Sequence, residues 1–250
     1  MRVFWTLLRR ELGACFASLS GYVVIAAATF LMGLGLLDII MVVQQEATPA
    51  PITELYFRTL FFWMIVLLST PVITMRLFAL EKFSGTYETL MTTPVRDGEV
   101  VLAKFSAALA FYIVMWLPAL ACIFVVRHFA RDGSLVDWGL IGTTYLGVLL
   151  LGCLFLAIGC LASSLTRIQT VAAMLSFLCG VSLLLVAYLA SQSPALPAWQ
   201  AAVLSHFALS DHMLDFTRGV VDTRTIAFYL SLTVLFLYAT LRVTESRRWK

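Results

Sequence analysis

Residues 138–161 read WGLIGTTYLGVLLLGCLFLAIGCL, twenty-four positions without a charge. A helix rises about 1.5 Å per residue and the hydrocarbon core of a bilayer is about 30 Å thick, so about 20 apolar residues cross it. The run is continuous and does not alternate, which is the pattern of a spanning helix and not of a barrel strand. The same test applied outward in both directions finds five more windows, at 21–43, 59–75, 105–126, 169–190 and 225–241. The expected fold is all-α, a polytopic membrane protein with six transmembrane helices. Composition agrees: the chain is 61% apolar and 12% charged, against roughly 25% charged in ordinary soluble domains.

Lys and Arg set the orientation, because short cytoplasmic connections retain positive charge. With the N-terminus inside, that side carries twelve of the 17 basic residues: Arg2, Arg9, Arg10, Arg76, Lys82, Arg96, Lys104, Arg167, Arg242, Arg247, Arg248 and Lys250. Arg58, Arg127, Arg131, Arg218 and Arg224 fall on the other side, together with Glu46, Glu54, Asp132, Asp137, Asp211, Asp215 and Asp222. Both termini are thus expected to be cytoplasmic. The net charge of +3 is a topology signal. It forms no basic stripe, so no nucleic-acid partner is expected.

Within residues 1–20, Val3, Phe4, Leu7, Leu8, Leu12, Cys15, Phe16 and Leu19 recur at helical spacing, with Arg2, Arg9, Arg10 and Glu11 largely elsewhere. This predicts an amphipathic elbow helix lying in the headgroup region before the first span. Arg9-Arg10 ahead of an apolar run could also be an export signal. The run is about twice the length of a signal-peptide core, and no cleavage is expected.

The fourth span carries Gly142, Gly147, Gly152 and Gly159, with Gly159 and Ser163 as a small-xxx-small pair. Such residues let helices approach closely, which places this span at the centre of the bundle. Pro118 removes a backbone hydrogen bond within span three and is expected to kink it, and span two is expected to end near Pro71. Cys15, Cys122, Cys153, Cys160 and Cys179 form no CxxC pair and occupy no external loop, so they read as packing residues. Loop 191–224 is rich in apolar residues and predicts interfacial helices on the external side.

Energy coupling leaves marks of two kinds. Ion coupling keeps carboxylates or histidines inside the membrane, and only Asp38 qualifies, at the outer end of span one and within sequence reach of Arg58. ATP hydrolysis needs GxxxxGK[ST], which is absent, so ATP would be bound by a partner. HExxH and GxSxG are absent as well. The external group His206, Asp211, His212 and Asp215 reads as solvated polar side chains on an interfacial helix and not as a metal site. No enzymatic activity, metal or cofactor is expected in this chain.

The connection after span two carries the most specific pattern. PVITMRLFALEKFSGTYETLMTTPVRDGEVVLAKF, residues 71–105, resembles the signature region of ABC-2-type permeases, within them most closely the branch associated with gliding motility and with maturation of the nitrous oxide reductase copper centre. The matched positions are Glu81, Ser84, Gly85, Thr86, Glu88, Leu90, Thr93, Pro94, Val95, Glu99 and Lys104. The resemblance implies that loop 76–104 carries a coupling helix seated in a groove of a separate ABC ATPase, with Gly85 allowing close approach and Glu81 and Glu88 facing basic partner residues. Thr93-Pro94 is expected to start a second helix.

HFALSDHMLDFTRGVVDTRT, residues 206–225, is similar to the family's segment before the last span, and implies that Phe207, Phe216, Arg218, Gly219 and Asp222 close the outer end of a pathway. The resemblance also implies one transmembrane domain over 1–250, a second permease copy, a pair of ATPases holding ATP and Mg, and a bacterial cytoplasmic membrane. Two other readings remain: an ion-coupled transporter, which needs buried ionisable groups or a repeat, and a membrane scaffold, whose docking loop would look alike.

Overall fold

In hydrocarbon each backbone polar group must find its partner within its own segment. The described residues follow that rule with helices and turns alone. The computed structural model describes residues 2–45, 52–86, 96–129, 138–192 and 207–246. Their helices in chain order are α1 (Arg2–Ala17), α2 (Leu19–Gln45), α3 (Ile52–Arg58), α4 (Leu60–Thr74), α5 (Ala79–Ser84), α6 (Asp97–Phe129), α7 (Trp138–Leu165), α8 (Gln169–Gln192), α9 (Leu209–Thr217) and α10 (Thr223–Ser246).

Among the described residues, six segments are long and apolar enough to cross a membrane: Leu19–Met41, Leu60–Ser84, Asp97–Cys122, Trp138–Leu165, Gln169–Val186 and Thr223–Ser246. Each overlaps one of the six expected windows. The third starts at Asp97 and not at 105, because a window free of charge stops at Lys104 while the helix does not. Asp97 and Glu99 stand in its first turn, where the helix dipole favours acidic groups, and Lys104 finds partners of its own. The second window, 59–75, brackets α4, which passes through Pro71 and ends at Thr74. Thr70 and Thr74 hydroxyls donate to the carbonyls of Val66 and Thr70, both at 2.8 Å.

α7 is the central helix, as its glycines predict. Each of three glycines receives a side chain from a different element. A Cβ at Gly152 would collide with the ring of Tyr112 from α6, and one at Gly159 with the side chain of Thr74 at the end of α4. At Gly147 it would lie 2.9 Å from the ring of Phe216, which follows in α9. Gly142 has open space around it. Four residues beyond Gly159, the buried Ser163 hydroxyl accepts the N–H groups of Phe78 and Ala79, both at 3.1 Å, and donates to the Met75 carbonyl at 3.2 Å. One α7 serine therefore holds the turn by which α4 passes into α5.

α10 lies along α7 with Thr225, Tyr229, Thr233, Thr240 and Thr244 buried on one side. At the other end of the chain, α1 bends at Ser18 into α2 and packs on α6, with Phe16 and Phe111 ring centroids 5.2 Å apart. The bend needs Gly21, where a Cβ would meet the Cys15 carbonyl. Arg76 donates to Ser18 at 3.1 Å and Ser20 at 2.6 Å, pinning this junction to the end of α4. α1, α5 and the start of α6 thus share one end of the bundle, and α3 and α9 share the other.

Of the cysteines, Cys153 and Cys160 are buried, Cys15 and Cys122 are half-buried, and Cys179 is exposed on α8. Burial raises the Cys15 thiol above its ordinary value.

Candidate functional sites at the two ends

At the α5 end four charges from three elements meet. Lys104, on α6 and only 2% exposed, lies 3.1 Å from Glu11 on α1 and 2.9 Å from Glu81 on α5. Arg10 reaches the same two carboxylates, at 2.7 Å from Glu11 and 3.0 Å from Glu81. The Glu11 hydrogen bond raises Arg10 above its ordinary value. Lys104 also sits 5.5 Å from the centre of the Phe78 ring. Two cations and two anions balance, which is the condition under which buried charge is tolerated. The Lys82 ammonium, on the adjacent face of α5, donates to the Ser164 carbonyl at the end of α7.

Glu81, which the resemblance set against basic partner residues, is ion-paired within this chain. Its Oε1 takes both Arg10 and Lys104, while Oε2 is buried without a hydrogen-bond partner among the described residues. Outward, α5 presents Phe83, 76% exposed, and Leu80, 42%, together with the exposed Ser84. Ser84, Gly85 and Thr86 close the helix. Gly85 has a φ of +74°, the left-handed cap that glycine adopts freely, the Ser84 and Thr86 hydroxyls are 2.8 Å apart, and both lie near the Glu81 carbonyl. A Cβ at Gly85 would meet nothing within 4 Å, so within this chain its role is conformational and not close packing. Glu88, Leu90, Thr93, Pro94 and Val95, including the expected second helix start, lie outside the described residues. Glu99 stands in the first turn of α6.

At the α9 end, the sequence-predicted Phe207, Phe216, Arg218, Gly219 and Asp222 divide into two groups. Phe207 stacks edge-on against Phe228 of α10 at 5.5 Å, and Phe216 packs on Gly147, while Thr143 of α7 donates to the Phe216 carbonyl at 2.8 Å. Arg218 makes a two-pronged contact with Glu54 on α3, at 3.2 Å and 2.9 Å. Glu54 also takes Arg58 at 2.8 Å, one turn along its own helix. The Arg218 hydrogen bond holds the Glu54 carboxyl below its ordinary value. Gly219 follows with a φ of +79°, and Asp222 caps the start of α10 through the Arg224 N–H at 2.9 Å.

Glu54 was not among the residues singled out in the sequence, and the pairing considered there, Arg58 with Asp38, does not form. Arg58 is committed to Glu54 because a glutamate one turn earlier on the same helix is nearer than a carboxylate on α2. Glu11 and Arg10 were also missed as site residues. Among the described residues no three His, Cys, Asp or Glu side chains gather to hold a metal. The His212 ring packs between Phe228 and Tyr229, at 5.8 Å and 6.0 Å, and His206 lies outside the described residues.

A family model described as "ABC-2 family transporter protein" matches residues 39–247. The match takes in α3 to α10 and therefore both charged clusters, apart from Arg10 and Glu11 on α1. No match to a curated protein accompanies it.

Proposed function

The chain belongs to the ABC-2 transporter family, as an integral membrane component, and from that premise we propose that it is the permease subunit of an ATP-driven exporter whose ATPase is a separate polypeptide. The segment from Met75 to Lys104 is the coupling loop, turned to the cytoplasm with both chain termini, and α1 is an interfacial elbow. ATP and Mg are held by the ATPase. Two permease copies form the pathway between them, and α9, with Phe207, Phe216, Arg218, Gly219 and Asp222, closes its outer end. The pattern over residues 71–105 favours the branch associated with gliding motility and nitrous oxide reductase copper-site maturation, in a bacterial cytoplasmic membrane. Residues 1–250 make one transmembrane domain.

The observation that carries this reading is the four-charge cluster of Arg10, Glu11, Glu81 and Lys104. It joins a short helix at the end of one span to the start of the next span and to α1, while leaving Phe83 and Leu80 outward. A push on α5 is thereby delivered to α4, α6 and α1 together, which is what a device receiving mechanical work from outside the bundle requires. An ion-coupled transporter would instead need titratable groups along its spans.

The test is co-purification with a co-expressed candidate ABC ATPase, comparing the wild-type chain with Phe83→Asp, Gly85→Trp and Glu88→Arg. Loss of the ATPase from all three variants, each still eluting as a monodisperse species, is the expected result. Retention of the ATPase by all three places its docking surface elsewhere. No ATPase bound by the wild-type chain favours the scaffold reading.

A further inference from the structure

α9 is held at its two ends by different chemistry. Its N-terminal end is apolar and buried: Ala208 and Leu209 are 5% and 0% exposed, and Phe207 and His212 stack on Phe228 of α10. Its C-terminal end is packed through Phe216 and Thr217, 1% and 0% exposed, and turns polar at the residue that follows. There Arg218, half exposed, grips Glu54, and Thr143 takes the Phe216 carbonyl. Immediately beyond, Gly219 turns the chain in the left-handed region and Val220 to Arg224 are all exposed. α9 is thus a packed body whose edge toward solvent begins at Arg218, where a half-exposed ion pair stands beside a glycine turn.

Glu54 is built to receive Arg218. It is 5% exposed, and Arg58 already binds its Oε1 at 2.8 Å from the same helix, which fixes the side chain before Arg218 adds contacts to both oxygens at 2.9 Å and 3.2 Å. A two-pronged guanidinium–carboxylate contact is among the stronger directional polar interactions and is lost abruptly when either plane moves. Glu54 also stands on the same run of chain as the coupling segment. α3 leads through Thr59 into α4, and α4 leads through the turn held by Ser163 into α5. Displacement of α4 along α7 therefore moves Glu54 relative to Arg218.

We propose that Glu54 is the positioning residue of the outer gate: fixed by Arg58, its carboxylate latches Arg218 and holds the C-terminal edge of α9 closed until α4 moves. The proposal rests on the reading of α9 as the outer closure. It assigns the latch to a residue on α3 and its release to the span that carries α5.

The reporter is Met213→Cys, at a position of α9 that is 0% exposed, in the full chain co-expressed with its ATPase. Labelling by a membrane-impermeant maleimide from the outer face is compared with and without ATP turnover, against the native cysteines as background. With the latch intact, labelling is slow at rest and rises on turnover. Glu54→Gln and Arg218→Gln each raise resting labelling about tenfold, the order expected when one charge-assisted contact is lost from an opening equilibrium. The double variant rises no further than either single one, since both remove the same contact. Arg224→Gln, a nearby exposed arginine of α10, leaves labelling unchanged.

The latch is overturned if turnover exposes Met213→Cys while Glu54→Gln and Arg218→Gln stay at the resting rate, if the two effects add, or if Arg224→Gln acts equally. Met213→Cys protected under every condition, turnover included, overturns the reading of α9 as a gate and the latch with it.

Discussion

Lys104 is 2% exposed and answers two carboxylates from helices that begin far away in the sequence. Truncating one member of such a group leaves the others buried and unpaired, at a cost of about 3 to 5 kcal/mol. Lys104→Met is therefore expected to lower the thermal midpoint of the detergent-solubilised protein sharply. Adding Glu11→Gln and Glu81→Gln recovers much of the loss, and a loss that only deepened would show that the cluster is not a balanced unit.

Glu54 supports a prediction about pH. Its carboxyl is held below the ordinary value by Arg218, so the pair contributes fully above the usual carboxylate range, near pH 4.3, and is lost as pH falls through the depressed native value. The stability difference between wild type and Glu54→Gln should be present at neutral pH and shrink as pH falls below the usual carboxylate range, and a difference growing on acidification would reverse the assignment. Neither cluster was legible in the sequence. Glu11 and Lys104 are 93 positions apart and Glu54 and Arg218 are 164, and a charge in isolation carries no sign of which helix will bring its partner. Glu81 was legible as important, but the direction it faces is a tertiary property.

The spans were legible because hydrocarbon thickness imposes length and charge exclusion on every crossing helix. Their ends were less so. Lys104 stops a charge-free window but not α6, and Pro71 does not stop α4, since a proline removes one donor and the rest of the ladder continues. The glycine spacing of α7 was readable as a close-packing helix, while the identity of what packs there was not. A Cβ at Gly152 would collide with Tyr112, itself 1% exposed. Gly152→Ala is thus expected to cost about 1 to 3 kcal/mol, measured as the thermal midpoint in detergent. Tyr112→Leu in the same chain relieves most of it, and an additive loss would mean that the collision is not the cause. At Gly85 the space is open but φ is +74°. Gly85→Ala should cost about 1 kcal/mol locally, visible as faster amide exchange in α5 with little change in the global midpoint.

At the scale of the molecule, α4, α6, α8 and α10 pack around α7 while α2 lies against α4 and α6, and the two charged clusters lie at opposite ends of the run α3–α4–α5, with Glu54 near its start and Glu81 near its finish. The proposed coupling surface and the proposed outer edge thus stand at the two ends of one run of chain, and the sequence holds no GxxxxGK[ST] motif. The chain's membrane class and family were legible from composition and from residues 71–105. Its cargo is not, because the described spans offer scattered hydroxyls and aromatic rings and no convergent set of charges. On the proposed reading, this chain works only as part of a larger assembly with a separate ATPase. Native mass spectrometry of the complex extracted from membranes tests it most directly: the account predicts two copies of this chain with two ATPase chains, and a chain that emerges only by itself or with other copies of itself, the ATPase being present in the same membranes, would contradict it.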